Sequence, residues 1–257
     1  MLHQHRERES WLITQHAHGL LSGELARVWK YKTDAAAKLF PLQAEGDLMP
    51  SFEFLFAIAM HDYAWSAYDV SPRFTEEAAG VADFLHYPLA ERLPLYNKGV
   101  RSLASMMPWA ASLVSRHFSA FAGLQGERDF QRWHETFREG LMLTQDAKLR
   151  VEEALPYLQG FDLLSLYLCL TPPGALRDHL PAWLLADDTF RAPCGERISL
   201  RWEGDDKLSF DPFPFLTECV LEIPVYVLEG KSFATPKQLD DAWTSRTLKK
   251  WSVRICS

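Results

Sequence analysis

Cysteine is scarce. Cys169, Cys194, Cys219 and Cys256 are the only four in 257 residues, far apart and without a CxxC pair. That spacing argues against a zinc ribbon or a disulfide framework and fits reduced thiols in a cytoplasmic protein. Long hydrophobic runs are missing too. The most apolar stretches, Phe52 to Met60 and Leu163 to Leu170, are too short to span a bilayer. The polar N-terminal segment lacks the apolar region of a signal peptide, so a soluble chain without a membrane partner is expected. Nor is there an excess of positive charge. Lys and Arg number 27 against 34 Asp and Glu, for a net charge of −7, with the two signs interspersed. A nucleic-acid groove is not expected from such a chain. The short basic stretches, His5 to Arg8 and Lys249-Lys250 with Arg254, read as solvated charge. An anionic substrate remains open, because a bound metal can supply the positive field. Walker-type, GxGxxG, HExxH and GxSxG motifs are all absent, which removes the activities those motifs define.

What is present is a 47% hydrophobic chain, enough for one generous core or a core with an appendage. Apolar positions Leu20, Leu21, Leu25, Val28 and Trp29 recur at helical spacing from Gln15 to about Trp29. A second helix is predicted after Pro50, capped near Ser51, and running to about Tyr68. Lys98 to Phe121 reads as a long helix kinked or broken at Pro108. Arg128 to Leu149 is amphipathic, and Leu155 to Leu170 is apolar nearly all round, as a central helix would be. Beyond Thr171-Pro172-Pro173-Gly174 the pattern changes. Arg197 to Trp202, Lys207 to Phe210 and Val220 to Leu228 alternate like strands, the last broken by Pro224. A short helix at Lys237 to Ser245 and a final strand at Trp251 to Ile255 follow. The expected architecture is mainly α. It comprises a helical bundle over residues 1–189, with a possible strand at 11–14, and a small β-rich (α+β) module over 190–257 packed on it.

Three segments could carry chemistry. His61-Asp62 falls near the end of an apolar helical run. Adjacent helical residues project about 100° apart, so both can reach one cation packed against that helix. In Gln15-His16-Ala17-His18, Gln15 and His18 share a face, while His16 points elsewhere. Asp162 is a lone acid within Phe161 to Leu168 and must be paired, protonated or coordinating. Outside these, His134 reads as solvated, His3 and His5 as preceding any structure, and His179 as following a loop. Asp69 suits a turn or cap. Arg27 and Lys98 are candidate anion-holding residues.

A histidine, then His-Asp, then a distant aspartate on separate helices resembles the HD-domain metal-dependent phosphohydrolases over residues 15–170. The segments QHAHGLLSGELARVW, MHDYAWSAYDVSP and FDLLSLYLCL, with DPFPF near the end, look like the DUF3891 family of bacterial proteins. That resemblance implies an HD-like helical fold without an established activity. The HD pattern implies His18, His61, Asp62 and Asp162 as ligands of a first metal. His86 and His117 fall where dinuclear HD proteins have two further ligands. The chain departs from the cyclic-dinucleotide enzymes in lacking a GYP-type motif, and has Tyr63-Ala64 where many HD proteins have glycine.

The leading expectation is therefore a hydrolase acting on a phosphorylated small molecule or nucleotide. One or two divalent ions (Mn, Fe, Mg, Ni or Zn) would serve it, with Asp62 and His117 in catalytic roles. A diiron oxygenase on the same fold is the alternative, since imidazole and carboxylate suit iron equally. The third reading is a degenerate binding module, with the C-terminal strands as a surface for self-association.

Overall fold

The computed structural model describes residues 1–31, 51–121, 124, 126–176, 180–181, 183–184 and 188–257. Strands Leu2–His5 (β1) and Glu9–Ile13 (β2) form an antiparallel hairpin with Leu2 opposite Ile13. Helices Gln15–Val28 (α1), Phe52–Ala59 (α2), Leu89–Ala104 (α3), Pro108–Ser119 (α4), Arg128–Gly140 (α5) and Gln145–Leu170 (α6) follow. Then come Thr189–Arg191 (β3), Arg197–Trp202 (β4), Lys207–Asp211 (β5), Cys219–Glu229 (β6), helix Pro236–Thr244 (α7) and Thr247–Cys256 (β7).

The strands form one sheet in the order β1-β2-β6-β7-β5-β4-β3. Every pair is antiparallel except β5 with β7. With 48% helix and 22% strand, the fold is α+β. This corrects the expectation of a mainly α helical bundle with a small strand module at one end. The physical reason is non-local pairing. The N-terminal hairpin attaches through Trp11 opposite Val227, more than two hundred residues away, and local periodicity cannot register such a partner.

Strand alternation explains the layering. Leu221, Ile223, Val225 and Val227 of β6 and Trp251, Val253 and Ile255 of β7 are buried in the same core as helices α1 to α6. The other face covers a smaller cluster of Met1, Leu12, Val81, Leu228, Phe233 and Leu239. Full burial of each large apolar side chain contributes about 1.5–3 kcal/mol. Pro224 does not break β6; the strand accepts the proline ring at the loss of one ladder donor.

Helix boundaries also differ from the periodicity. Pro108 occupies the first turn of α4, where its missing N–H costs nothing, so the expected long helix is two. The helix before it begins at Leu89 and contains Pro94. The amphipathic segment from Arg128 ends at Gly140, and Met142 adopts φ 50 before Thr144 caps α6 by accepting from the Ala147 N–H. His3 and His5 are not outside the structure: both are buried in β1. His179 lies outside the described residues.

Candidate metal centre

Five side chains from four parts of the helical layer meet at one point. Thr14 caps α1 by accepting from the Ala17 N–H at 3.0 Å, and Asp69 accepts from the His16 N–H at 3.1 Å. Asp69 is thus a helix-end acceptor, favourable at the positive end of the helix dipole. The first turn of α1 carries His18. From the next residue on, α1 comes very close to α2. A Cβ on Gly19 would stand 2.8 Å from the Ala59 carbonyl oxygen, and one on Gly23 would stand 2.7 Å from the Ala59 Cβ. No other residue type fits there without displacing α2. These two glycines seat the end of α2 against α1 and bring His61 to His18, with ring centroids 5.1 Å apart.

His61 and Asp62 are not on the helix itself. Backbone helicity ends at Met60 (φ −107, ψ 9), and the pair occupies the turn into a 3₁₀ segment, Tyr63–Ala67. The turn lets both side chains point inward. His117 comes from the last full turn of α4, its ring 5.5 Å from that of His61. Asp162 comes from the middle of α6. Its Oδ1 lies 3.0 Å from His18 Nε2 and 3.3 Å from His61 Nε2. Its Oδ2 lies 3.4 Å from His117 Nε2. Asp62 Oδ2 stands 3.5 Å from His18 Nε2 and 3.7 Å from His61 Nε2. The three histidines are at most 2% exposed, and the opening lies on the aspartate side, where Asp162 retains 17% and Asp62 11% of side-chain exposure.

The outer ring nitrogens are committed. His61 Nδ1 is 2.7 Å from the Ile58 carbonyl, an acceptor only, so Nδ1 carries the hydrogen and the neutral ring presents a bare Nε2. Ser165 Oγ lies 2.8 Å from the Asp162 carbonyl and 2.7 Å from His18 Nδ1; with its hydroxyl hydrogen on that carbonyl it accepts from His18 Nδ1. His18 Nε2 is then also a lone pair aimed at the carboxylates. Ser22 Oγ completes this chain, 2.7 Å from Ser165 Oγ. His61 Nε2 and both ring nitrogens of His117 are buried without a hydrogen-bond partner among the described residues.

A lone pair facing a carboxylate is unfavourable unless a cation sits between them. Without an ion, a proton takes that place. Burial alone would lower the His61 pKa, but the Asp62 charge and the facing Asp162 carboxylate raise it to about 9. Burial raises Asp62 above the ordinary carboxylate range. Burial would do the same to Asp162, but the facing imidazoles of His117, His18 and His61 hold it well below that range. Burial lowers His117. A divalent ion satisfies the same atoms without a proton. The donor atoms of His18, His61 and Asp62 lie within 4.8 Å of one another, as do those of His61, His117 and Asp162. Ligands around one ion, at bonds of roughly 2.0–2.2 Å, need about that spacing. The residues present fit a divalent metal.

The remaining candidates lie elsewhere. His86 Nδ1 pairs with Asp83 Oδ1 at 2.7 Å and is in neither metal-competent group. Arg27 pairs with Glu24 in solvent, and Lys98 is exposed. His134 is fully buried, not solvated. Its position four residues after Phe130 on the apolar face of α5 was the available signal. Glu203, Asp205, Asp206 and Asp211 of the C-terminal strands belong to neither metal-competent group among the described residues. Ser165 and Ser22 escaped the sequence reading, although each stands one turn from a candidate ligand, Asp162 and His18 respectively.

No helix of the described residues is long and apolar enough to cross a membrane. The family model described as "Protein of unknown function (DUF3891)" matches residues 1–230. Comparison with curated proteins and with solved structures returned no match.

Proposed function

The chain belongs to the DUF3891 family, and we propose that it is a metal-dependent phosphohydrolase with an HD-type site, acting on a phosphorylated small molecule or nucleotide. The observation that carries this reading is the commitment of the outer nitrogens of His18 and His61. It leaves their Nε2 lone pairs facing the carboxylates of Asp62 and Asp162. These four side chains are the ligands. A divalent ion there would polarise a phosphoryl oxygen and acidify a coordinated water.

The chain's own residues do the rest. The Ile58 carbonyl and Ser165 hold the two imidazoles in the tautomer that ligates, as hydrogen-bond partners behind ligand histidines generally do. The aspartates present their charge on the open side, so the water and substrate enter beside them. His117 Nε2 faces Asp162, and neither of its ring nitrogens has a hydrogen-bond partner among the described residues. We assign it to hand a proton to the leaving oxygen. His86 is engaged with Asp83, which leaves too few side chains for a bridged pair of ions and favours one metal over the dinuclear oxygenase arrangement.

Protein purified without chelator should carry about one equivalent of divalent metal per chain by elemental analysis. It should release phosphate from a panel of nucleotides and phosphomonoesters, and activity should disappear on chelation and return with added metal. Stoichiometric metal without phosphate release from any member of the panel would overturn the hydrolase assignment. Absence of metal from both the purified and the metal-soaked chain would overturn the site.

A further inference from the structure

One face of α3 is turned toward the cluster and ends in a cation that the proposed reaction has not used. Arg92, Tyr96 and Gly99 recur at helical spacing on that face. A Cβ on Gly99 would stand 2.5 Å from the Ala64 Cβ, so this face rests directly on the 3₁₀ segment that follows His61-Asp62. Tyr96 is buried, with its ring 4.4 Å from Phe118, 6.1 Å from Phe121 and 6.0 Å from Trp65. Phe121 in turn packs against the His117 ring at 4.7 Å. Tyr96 is therefore walled by the segments that carry Asp62 and His117.

Its hydroxyl feels both sides of the site. Burial and the Asp62 charge push its pKa up, nearby Arg92 opposes them, and Asp162 adds to the rise. Arg92 lies one helical turn before Tyr96, on the same face that rests on the segment after His61-Asp62. Several arginines of the described residues are matched by acids, Arg73 by Glu91, Arg116 by Glu152 and Arg27 by Glu24, while Arg138 donates to the Ser115 and Ser119 hydroxyls and Arg101 lies over the Trp133 ring. Arg92 has no such ion pair among the described residues, and its Nε is enclosed with no hydrogen-bond partner there. An enclosed guanidinium N–H without an acceptor is costly. The acceptor it suits best is a planar or tetrahedral oxyanion that takes two N–H groups at once.

We propose that Arg92, steadied by Tyr96, forms an oxyanion subsite beside the His-Asp cluster that grips non-bridging oxygens of a phosphoryl group. This rests on the phosphohydrolase reading and narrows it: the transferred group is a terminal phosphoryl with free oxygens to offer the arginine. Arg92 binds the reacting group, while Tyr96 is a positioning residue.

The probe is inorganic phosphate, titrated calorimetrically into the full-length, metal-loaded chain, with metal content and thermal midpoint measured on the same samples. Arg92→Gln should weaken phosphate binding by about tenfold or more while metal content and midpoint stay at wild-type values. Arg92→Lys, which keeps the charge but loses the fork, should recover only part of the affinity. Equal phosphate affinity in wild type and Arg92→Gln would overturn the subsite. So would joint loss of metal and phosphate in both variants, which would make Arg92 a prop for α3. If the wild-type chain takes up metal but no phosphate, the subsite fails while the metal site stands. If it takes up no metal, the function reading fails. Phosphate titration of the metal-free wild type and Arg92→Gln then decides the subsite separately: a loss in the variant supports it, and equal binding overturns it.

Discussion

Helix α4 separates two buried histidine clusters that differ in one respect. On one side, His117 faces His18, His61, Asp62 and Asp162. On the other, Ser115 faces His134 at 2.8 Å, with Arg138 donating to Ser115 and Ser119 at 3.1 and 3.0 Å. Both His117 and His134 are essentially inaccessible. The first cluster holds two carboxylates. The second is hydroxyls, one imidazole and a guanidinium, and burial together with the Arg138 charge drives the His134 pKa down to about 3. A buried histidine alone is therefore no sign of a metal site. Carboxylates facing imidazole lone pairs make the difference, because only they leave a negative site that a cation completes.

Four substitutions sharpen that contrast, beginning with the largest effect. His117→Gln should lower the catalytic rate by about 10²–10⁴-fold, the usual contribution of a positioned acid, while leaving bound metal at wild-type stoichiometry. Loss of metal would instead make His117 a ligand. Ser165→Ala removes the partner that orients His18, and should weaken metal affinity by about 10–100-fold, measured by competition with a chromophoric chelator. The equivalent change across the helix, Ser115→Ala, should leave metal binding untouched. It should cost about 1–3 kcal/mol of stability, because His134 and Arg138 lose their shared partner, as read from urea unfolding.

The smallest effect is a pH slope. His134 is held neutral in the folded chain, with a pKa near 3, against about 6.5 when unfolded. Between those values only the unfolded chain binds this proton, so stability falls as pH drops below about 6.5. The slope contributed is at most about 1.4 kcal/mol per pH unit. His134→Gln should unfold with a shallower pH dependence between pH 6.5 and 4.5, other groups being common to both proteins. An unchanged slope would show that His134 is not held neutral.

The two clusters also differ in how far the sequence disclosed them. Asp162 inside an unbroken apolar run, and His-Asp after another, stand out because an isolated charge there is costly. Their meeting with His18 follows once the helices are placed. His86 carried its own counter-signal: Asp83, three residues earlier, offers a local partner that a ligand would not need. His134 was legible through Phe130 one turn before it, but a polar neighbourhood of Arg132 and Glu135 masked the buried stripe. Arg92 gave no signal, since an arginine between Glu91 and Leu93 looks like any surface cation until Gly99 is seen against Ala64. The sheet was the least legible part. Strand β1 is only four residues long, Leu2–His5, and its hairpin finds β6 across nearly the whole chain.

The most direct test is metal content of wild type against Asp162→Ala, each soaked with divalent ion, desalted and analysed for metal per chain. Asp162 stands within 3.4 Å of all three histidines. About one equivalent in the wild type and less than about one tenth in the variant, with both folded by circular dichroism, is the result expected if Asp162 bonds the metal directly. Equal metal in the two proteins, or none in the wild type, would contradict the His-Asp cluster as a metal centre.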